Sequence, residues 1–209
     1  IGYAEQNGSM GACLVSTGCA STNALTGVLS AWQDGIPCIF ISGQNTLKET
    51  SRHTRISVRT YGQQEADIIS MVSSITKFSH MLTKPQDIVE VMNTALESAQ
   101  TGRKGPVWID IPLDLQSALI NPEDIQTNPS ANLTSIAEAD DEDISRVLHN
   151  WSEAKRPALL IGSGVKSAGV ESDLRALVER YNIPLTFTSS APDVMGSTHP
   201  LSIGSVGAM

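Results

Sequence analysis

The chain has 209 residues, of which 40% are hydrophobic and 17% are charged, and its formal net charge is -8 at pH 7. This composition is typical of a globular protein with a substantial core, and the acidic balance excludes a nucleic-acid partner because phosphate binding requires clustered Lys and Arg. The longest apolar runs have only the length of strands, so we expect no signal peptide, no membrane segment and no membrane partner.

The first part of the sequence predicts two strands with a helix between them. Apolar residues at 12–15 and at 36–41 indicate the strands. A turn of small residues follows the first strand, and Ser21 or Thr22 is expected to cap the helix, which ends at Gly35. This is the pattern of a βαβ unit with a parallel sheet, and such sheets bind ligands at the carboxyl ends of their strands.

The next part of the sequence adds a long loop and further helices. Residues 45–60 are polar, and we predict a loop of a length that often indicates function. A short helix is predicted within residues 62–76. A longer helix ends near Gly102, and a capping box formed by Thr83 and Gln86 is expected at its start. A strand bounded by prolines at residues 106–112 completes this part, so we predict a doubly wound, mostly parallel α/β sheet.

The composition changes to Asn, Ser, Thr, Pro and Glu at residues 117–139, which indicates a linker. Beyond it, helices at residues 140–155 and 170–181 alternate with strands at residues 157–161 and 184–188. We therefore predict one domain at residues 1–116 and a second, truncated Rossmann-like α/β domain at residues 140–209. Both ends of the sequence have the pattern of interrupted elements, so we expect a longer parent polypeptide.

Two clusters of small residues are candidate binding sites. The turn after the first strand contains Gly18, Cys19 and Ala20, and its small residues suit either a closely approaching ligand or tight packing of a helix on a strand. The residue types alone leave both interpretations open. Gly162 and Gly164 resemble part of a dinucleotide fingerprint but lack its spacing.

The four histidines are scattered, and the acidic residues show no ligand pattern, so no metal site is predicted. Three cysteines, an odd number, favour free thiols in a reducing cytoplasm.

The order of several motifs resembles the thiamine-diphosphate enzymes of the acetolactate synthase type. The family has Ser-Gly-Pro-Gly-x-x-Asn after a strand, then Thr-Gly-Gln, Phe-Gln-Glu-x-Asp-Ile, a Thr-Lys pair and Gly-Arg-x-Gly-Pro-Val-x-Ile-Asp-Ile-Pro-x-Asp-Val-Gln. The corresponding segments here are residues 17–23, 42–44, 63–68, 76–77 and 102–116. In the second domain, residues 162–164 and 199–204 resemble Gly-Gly-Gly and His-Pro-Leu-x-x-Gly. The match covers nearly the whole chain.

The resemblance implies a pyrimidine-binding domain at residues 1–116 and the first part of a central domain after the linker. It implies that one set of residues faces thiamine diphosphate, namely Gly18, Cys19, Ala20, Asn23 and Gln64. It implies that a second set is a candidate site for FAD or another nucleotide, namely Gly162, Ser163, Gly164 and Thr188. The diphosphate and Mg²⁺ are expected on a third domain of the partner subunit, so a homodimer or homotetramer is expected. The activating Glu of the family precedes Gly2, so no catalytic residue and no metal ligand are expected in this chain, which should be inactive alone.

The resemblance implies a cytoplasmic enzyme that decarboxylates a small 2-keto acid and transfers the acyl carbanion to a second carbonyl. Two departures from the family motifs leave alternatives open. Cys19-Ala20 replaces Pro-Gly, and Gln63 replaces the Phe before Gln-Glu, which suggests an unusual substrate pocket. The alternatives are a decarboxylase, an oxidase or a C–C hydrolase of the same fold, or a noncatalytic nucleotide-binding module.

Overall fold

A computed structural model of the chain describes residues 1–125 and 139–206. The chain divides into two compact units, Ile1–Ser135 and Ile136–Met209, and each is described by itself. Most of the predicted linker at residues 117–139 lies outside the described residues. Before that gap, the structure describes a short 3₁₀ helix at Pro122–Asp124.

The first unit is built from parallel strands and the helices that connect them. Its helices are α1 (Gly2–Asn7), α2 (Cys19–Asn23), α3 (Leu25–Asp34), α4 (Ser51–Thr54), α5 (Ile68–Val72), α6 (Ile88–Gln100) and α7 (Leu113–Gln116). Its strands are β1 (Gly11–Val15), β2 (Cys38–Gln44), β3 (Phe78–Met81) and β4 (Pro106–Pro112). Short 3₁₀ helices lie at Leu47–Glu49 and Pro85–Asp87.

The described strands of the first unit form one parallel sheet in the order β1-β2-β4-β3. One face carries Phe40 and Trp108, whose rings stack with centroids 5.4 Å apart, and packs against α3 and α5. The other face carries Ile39 and Val107 and packs against α6. Because helices cover both faces, the predicted doubly wound α/β fold is confirmed for this unit.

Several local predictions for the first unit are confirmed, and others are wrong. The strand predicted at residues 106–112 is β4, and Gly35 ends α3 with the left-handed φ of 69° that glycine adopts most readily. The capping box predicted at Thr83 and Gln86 is wrong: the chain enters α6 through the 3₁₀ helix, and no described side chain caps either start. The predicted long loop is also wrong in part, because α4 lies inside it.

The second unit has a smaller parallel sheet, with the described strands in the order β5-β6-β7. Its strands are β5 (Leu159–Ile161), β6 (Leu185–Phe187) and β7 (Ser202–Ser205), and its helices are α8 (Asp141–Glu153), α9 (Gly164–Ala168) and α10 (Glu171–Tyr181). The carboxylate of Asp140 accepts a hydrogen bond from the amide of Asp143 at 2.7 Å and so caps α8. Leu185 and Val178 lie at the centre of the core. This unit agrees with the predicted second α/β domain.

Candidate functional site

The turn between β1 and α2 brings two predicted site residues together. Gly18 precedes α2 with φ 66° and ψ -123°, a conformation that side chains disfavour. A Cβ atom on Gly18 would lie 2.2 Å from the carbonyl oxygen of Gln64. Only a glycine therefore permits this approach, and the turn after β1 lies directly against the Gln-Gln-Glu turn, although the two are far apart in the sequence.

Three more predicted residues lie on α2 itself. Cys19 and Ala20 are its first residues and Asn23 is its last, and all three are exposed. The prediction that Ser21 or Thr22 caps this helix is wrong. The helix begins directly after Gly18, so both residues lie inside it. Instead, the hydroxyl of Ser21 donates to the carbonyl of Ser16 at 2.6 Å and closes the turn. The small side chains of Cys19 and Ala20 leave the start of α2 open to a ligand.

The segment around Gln64 is held by its neighbour Glu65. The Glu65 carboxylate accepts hydrogen bonds from the amide and hydroxyl of Ser51, both at 2.6 Å, and from the amide of Tyr61 at 2.9 Å. Burial acts to raise the pKa of Glu65, but these hydrogen bonds outweigh it and lower the pKa. Gln64 itself is exposed and has a positive φ of 57°. The fixed turn thus presents the Gln64 side chain to solvent beside Gly18.

A buried polar network lies beneath these two turns, at the carboxyl ends of β1, β2 and β4. Asp110, which is 1% exposed, accepts hydrogen bonds from the hydroxyl of Ser42 at 2.5 Å and from the side-chain amide of Gln44 at 3.1 Å. The indole N–H of Trp108 donates to the hydroxyl oxygen of Ser42 at 2.8 Å. Gln44 also donates to the carbonyl of Ala66 at 3.0 Å and accepts from the hydroxyl of Thr17 at 2.8 Å. The network therefore contacts both turns.

Burial raises the pKa of Asp110 to about 6, because removal from water disfavours the charged form. Hydrogen bonds from Ser42 and Gln44 act in the opposite direction and limit the rise. The motif at residues 42–44 includes Gln44, but no motif in the sequence predicts the network around it. A charged residue inside the apolar run of β4 was the signal that could have revealed it, since buried carboxylates require partners.

In the second unit, the predicted nucleotide residues lie at the carboxyl ends of β5 and β6. A Cβ atom on Gly162 would contact the hydroxyl of Thr188 at 3.5 Å, so these two positions are neighbours. Gly164 is the first residue of α9 and is exposed, and Ser163 precedes it. The hydroxyls of Thr188 and Ser190 lie 3.0 Å apart. The structure thus brings the four predicted residues to one edge of this sheet.

Within residues 1–125 and 139–206, no group of three or more His, Cys, Asp or Glu side chains could hold a metal ion. In the same residues, no helix is both long and apolar enough to cross a membrane.

Two family models match the chain. Residues 1–71 match the N-terminal thiamine pyrophosphate binding domain of thiamine pyrophosphate enzymes, and residues 144–209 match the central domain of the same enzymes. The chain belongs to the family of thiamine pyrophosphate enzymes. The first match contains every residue predicted to face thiamine diphosphate, and the second contains every residue of the candidate nucleotide site.

Individual relatives of the chain agree with the family models. An acetolactate synthase of Arthrospira platensis is 32% identical over 100% of the chain and 35% of its own length. The acetolactate synthase isozyme 1 large subunit of Escherichia coli K12 is 34% identical over 99% of the chain and 34% of its own length. An acetolactate synthase large subunit of Lactococcus lactis is 31% identical over 99% of the chain and 34% of its own length. The chain therefore spans about a third of these relatives.

The described residues of this family member fit one part of thiamine diphosphate. The small residues Cys19 and Ala20 follow Gly18, and the exposed amide side chain of Gln64 lies beside it, so this surface suits a flat ring that carries both hydrogen-bond donors and acceptors. The aminopyrimidine ring of thiamine diphosphate is a ring of this kind. Asn23, at the end of α2, lines a cavity with Cys13 and Gly27 instead.

Proposed function

We propose that this chain supplies the pyrimidine-binding side of an acetolactate-synthase-like enzyme. The observation that carries the proposal is the approach of Gly18 to the Gln64 carbonyl, which joins two separate motifs into one surface. The relatives that match nearly the whole chain are acetolactate synthases, and this supports the same assignment. When bound, thiamine diphosphate supplies the electron sink for decarboxylating a 2-keto acid, and the protein supplies binding and orientation.

Each residue of the proposed site has a distinct part in binding. Cys19 and Ala20 would form the surface that holds the ring, and their small size would permit close contact. The exposed amide of Gln64 can donate and accept hydrogen bonds at the ring edge. Gly18 keeps the two turns in contact, and the buried network below them excludes water from their base. These residues are proposed to bind and orient the pyrimidine ring of thiamine diphosphate, and none of them is proposed to transfer a proton.

The remaining parts of the active site are proposed to lie outside this chain. Mg²⁺ and the diphosphate are assigned to another domain of the full-length protein in a partner subunit, so the active form is a homodimer or homotetramer. The chain on its own is expected to be inactive as a transferase or lyase. We propose a cytoplasmic location, which the three free cysteines support.

The second unit is proposed to bind a nucleotide at Gly162, Ser163, Gly164 and Thr188, with FAD as the first candidate. The support is their common position at the carboxyl ends of β5 and β6, where parallel sheets bind ligands. Absorbance of the purified full-length protein in the flavin bands tests this assignment.

Product analysis with pyruvate tests the proposed reaction. The full-length protein, supplied with thiamine diphosphate and Mg²⁺, is expected to consume pyruvate and to form acetolactate, which is measured by chromatography. A second candidate is a decarboxylase, oxidase or C–C hydrolase of the same fold. The exposed Cys19, Ala20 and Gln63, all departures from the family motifs, favour it because they alter the surface beside the cofactor. Turnover of another keto acid without acetolactate would reject the first candidate and support the second.

A further inference from the structure

The buried network beneath the site has a fixed direction of hydrogen bonding. The Trp108 indole can only donate, so it occupies an acceptor position of the Ser42 oxygen. Ser42 in turn gives its own proton to Asp110, which as a carboxylate can only accept. All three side chains are almost completely buried, at 0–1% exposure. Water therefore cannot substitute for a missing partner in this part of the network.

Gln44 connects Asp110 to both turns through its hydrogen bonds. Its amide nitrogen has two protons, and these go to the carboxylate of Asp110 and to the carbonyl of Ala66. Its amide oxygen must then face the other way, where it accepts from the hydroxyl of Thr17 at 2.8 Å and from the amide of Asn45 at 3.0 Å. A flipped Gln44 would place its oxygen against two acceptors. Asp110 thus determines the orientation of Gln44.

The two groups held by Gln44 belong to the two turns that form the proposed pyrimidine surface. Thr17 immediately precedes Gly18, and Ala66 follows the segment that contains Gln64. We infer that Gln44 and Asp110 are positioning residues, which hold the Thr17-Gly18 turn and the Gln64–Ala66 segment in the spacing that the cofactor ring requires. This inference rests on the proposed function for its ligand, but the fixed spacing itself is a property of this chain.

The charged groups around Asp110 agree with a carboxylate that is ionised near neutral pH. Besides Ser42 and Gln44, the side chains that act on it are Asp67, which raises its pKa, and Arg52, which lowers it. Arg52 and Asp67 are themselves paired at 3.0 Å, and their effects on the pKa of Asp110 have opposite directions and are smaller than those of burial and the two hydrogen bonds. Burial and the two hydrogen bonds therefore control the state of Asp110.

Thr17→Val, with Thr17→Ser as its matched control, tests the inference in the full-length protein. Valine has the shape of threonine but cannot donate to Gln44, whereas serine can. Hydrogen exchange, followed by mass spectrometry, is measured for peptides covering residues 16–23 and 62–68 and for the rest of the first unit. Calorimetry with thiamine diphosphate and Mg²⁺ gives the affinity. Gln44→Met serves as a second variant, because it removes the hydrogen bonds to both turns and keeps the length of the side chain.

Thr17→Val is expected to speed exchange in those two peptides and to weaken affinity about ten-fold, the usual effect of one lost hydrogen bond in a buried site. Gln44→Met is expected to have the same kind of effect and a larger one, because it removes several hydrogen bonds. Thr17→Ser is expected to behave as the wild type. Unchanged exchange in both peptides, or exchange that rises equally throughout the first unit, overturns the inference. If the wild type fails to bind thiamine diphosphate, the proposed function fails instead, and the exchange results still decide whether the network positions the turns.

Discussion

Gly18→Ala is expected to destabilise the first unit by about 3 kcal/mol, through backbone strain and steric overlap together. The φ of 66° and ψ of -123° at Gly18 are disfavoured for alanine, and the new Cβ would lie 2.2 Å from the Gln64 carbonyl oxygen. Since that oxygen belongs to the backbone, relief requires the two turns to separate. The same substitution should therefore also disrupt the proposed binding surface. Urea unfolding, followed by tryptophan fluorescence, measures the loss of stability.

Gly27→Ala is the matched control for this prediction. Gly27 lies inside α3, where a Cβ would make only an ordinary contact of 3.6 Å with the side chain of Ile1. Replacing a glycine within a helix by alanine should stabilise the unit by about 0.5–1 kcal/mol. Equal and small effects of the two substitutions would show that Gly18 does not need to be glycine, and would contradict the close approach of the two turns.

Asp110 is expected to make the stability of the first unit fall as the pH rises from about 4 to about 6. The pKa of Asp110 is raised from the usual 3.8 to about 6 in the folded chain, so between these values the folded state binds more protons than the unfolded state. Its contribution to stability is thus complete below the unfolded pKa and is lost as the pH rises through the folded pKa. The total change corresponds to about 3 kcal/mol.

Asp110→Asn removes this titration and serves as the reference for the pH dependence of Asp110. Free energies of unfolding are measured by urea denaturation at several pH values for both proteins. The wild type is expected to lose about 2 kcal/mol relative to the variant between about pH 4 and pH 7, because the contribution of Asp110 is complete only below this range. Because other carboxylates titrate equally in both proteins, the difference isolates Asp110. A constant difference across this range would show that Asp110 is not buried in the network described above.

Strands with a mostly apolar run could be predicted from the sequence, including β5 and β6, which have only three residues each. Prolines flank β4, and glycine at position 35 stops the helix before β2, so local chemistry sets these limits. The short strands β3 and β7 have four residues each and contain Ser or His among their apolar residues. Their extended conformation depends on pairing with β4 and β6, which a local pattern does not reveal.

The predicted helix starts failed for a related physical reason. Ser21, Thr22, Thr83 and Gln86 are residue types that favour capping, but capping requires the right position relative to the first helical turn. The helix α2 begins directly after Gly18, which has a positive φ, so Ser21 lies inside the helix. The Ser21 hydroxyl donates to the Ser16 carbonyl instead of capping the helix. At α6, the 3₁₀ helix at Pro85–Asp87 occupies the place of the capping box. Backbone conformation decided both cases.

The candidate site was predictable as a set of residues but not as an arrangement. The family motifs identified Gly18 and Gln64 separately, and only the fold shows that a Cβ on one would overlap the carbonyl of the other. The network from Trp108 to Thr17 joins residues from β1, β2 and β4, which lie far apart in the sequence. Its existence depends on the strand order, and the strand order is a tertiary property.

Calorimetric titration of the full-length protein with thiamine diphosphate and Mg²⁺ tests the central claim most directly, with Ala20→Leu as the informative variant. Ala20 is exposed at the start of α2, so leucine should leave the fold intact but occupy the surface proposed for the pyrimidine ring. The wild type is expected to bind, and Ala20→Leu is expected to bind at least about ten-fold more weakly, while Ala168→Leu, an exposed helical alanine of the second unit, binds as the wild type. Absence of binding by the wild type, or equal binding by Ala20→Leu, would contradict the assignment of this surface to the cofactor.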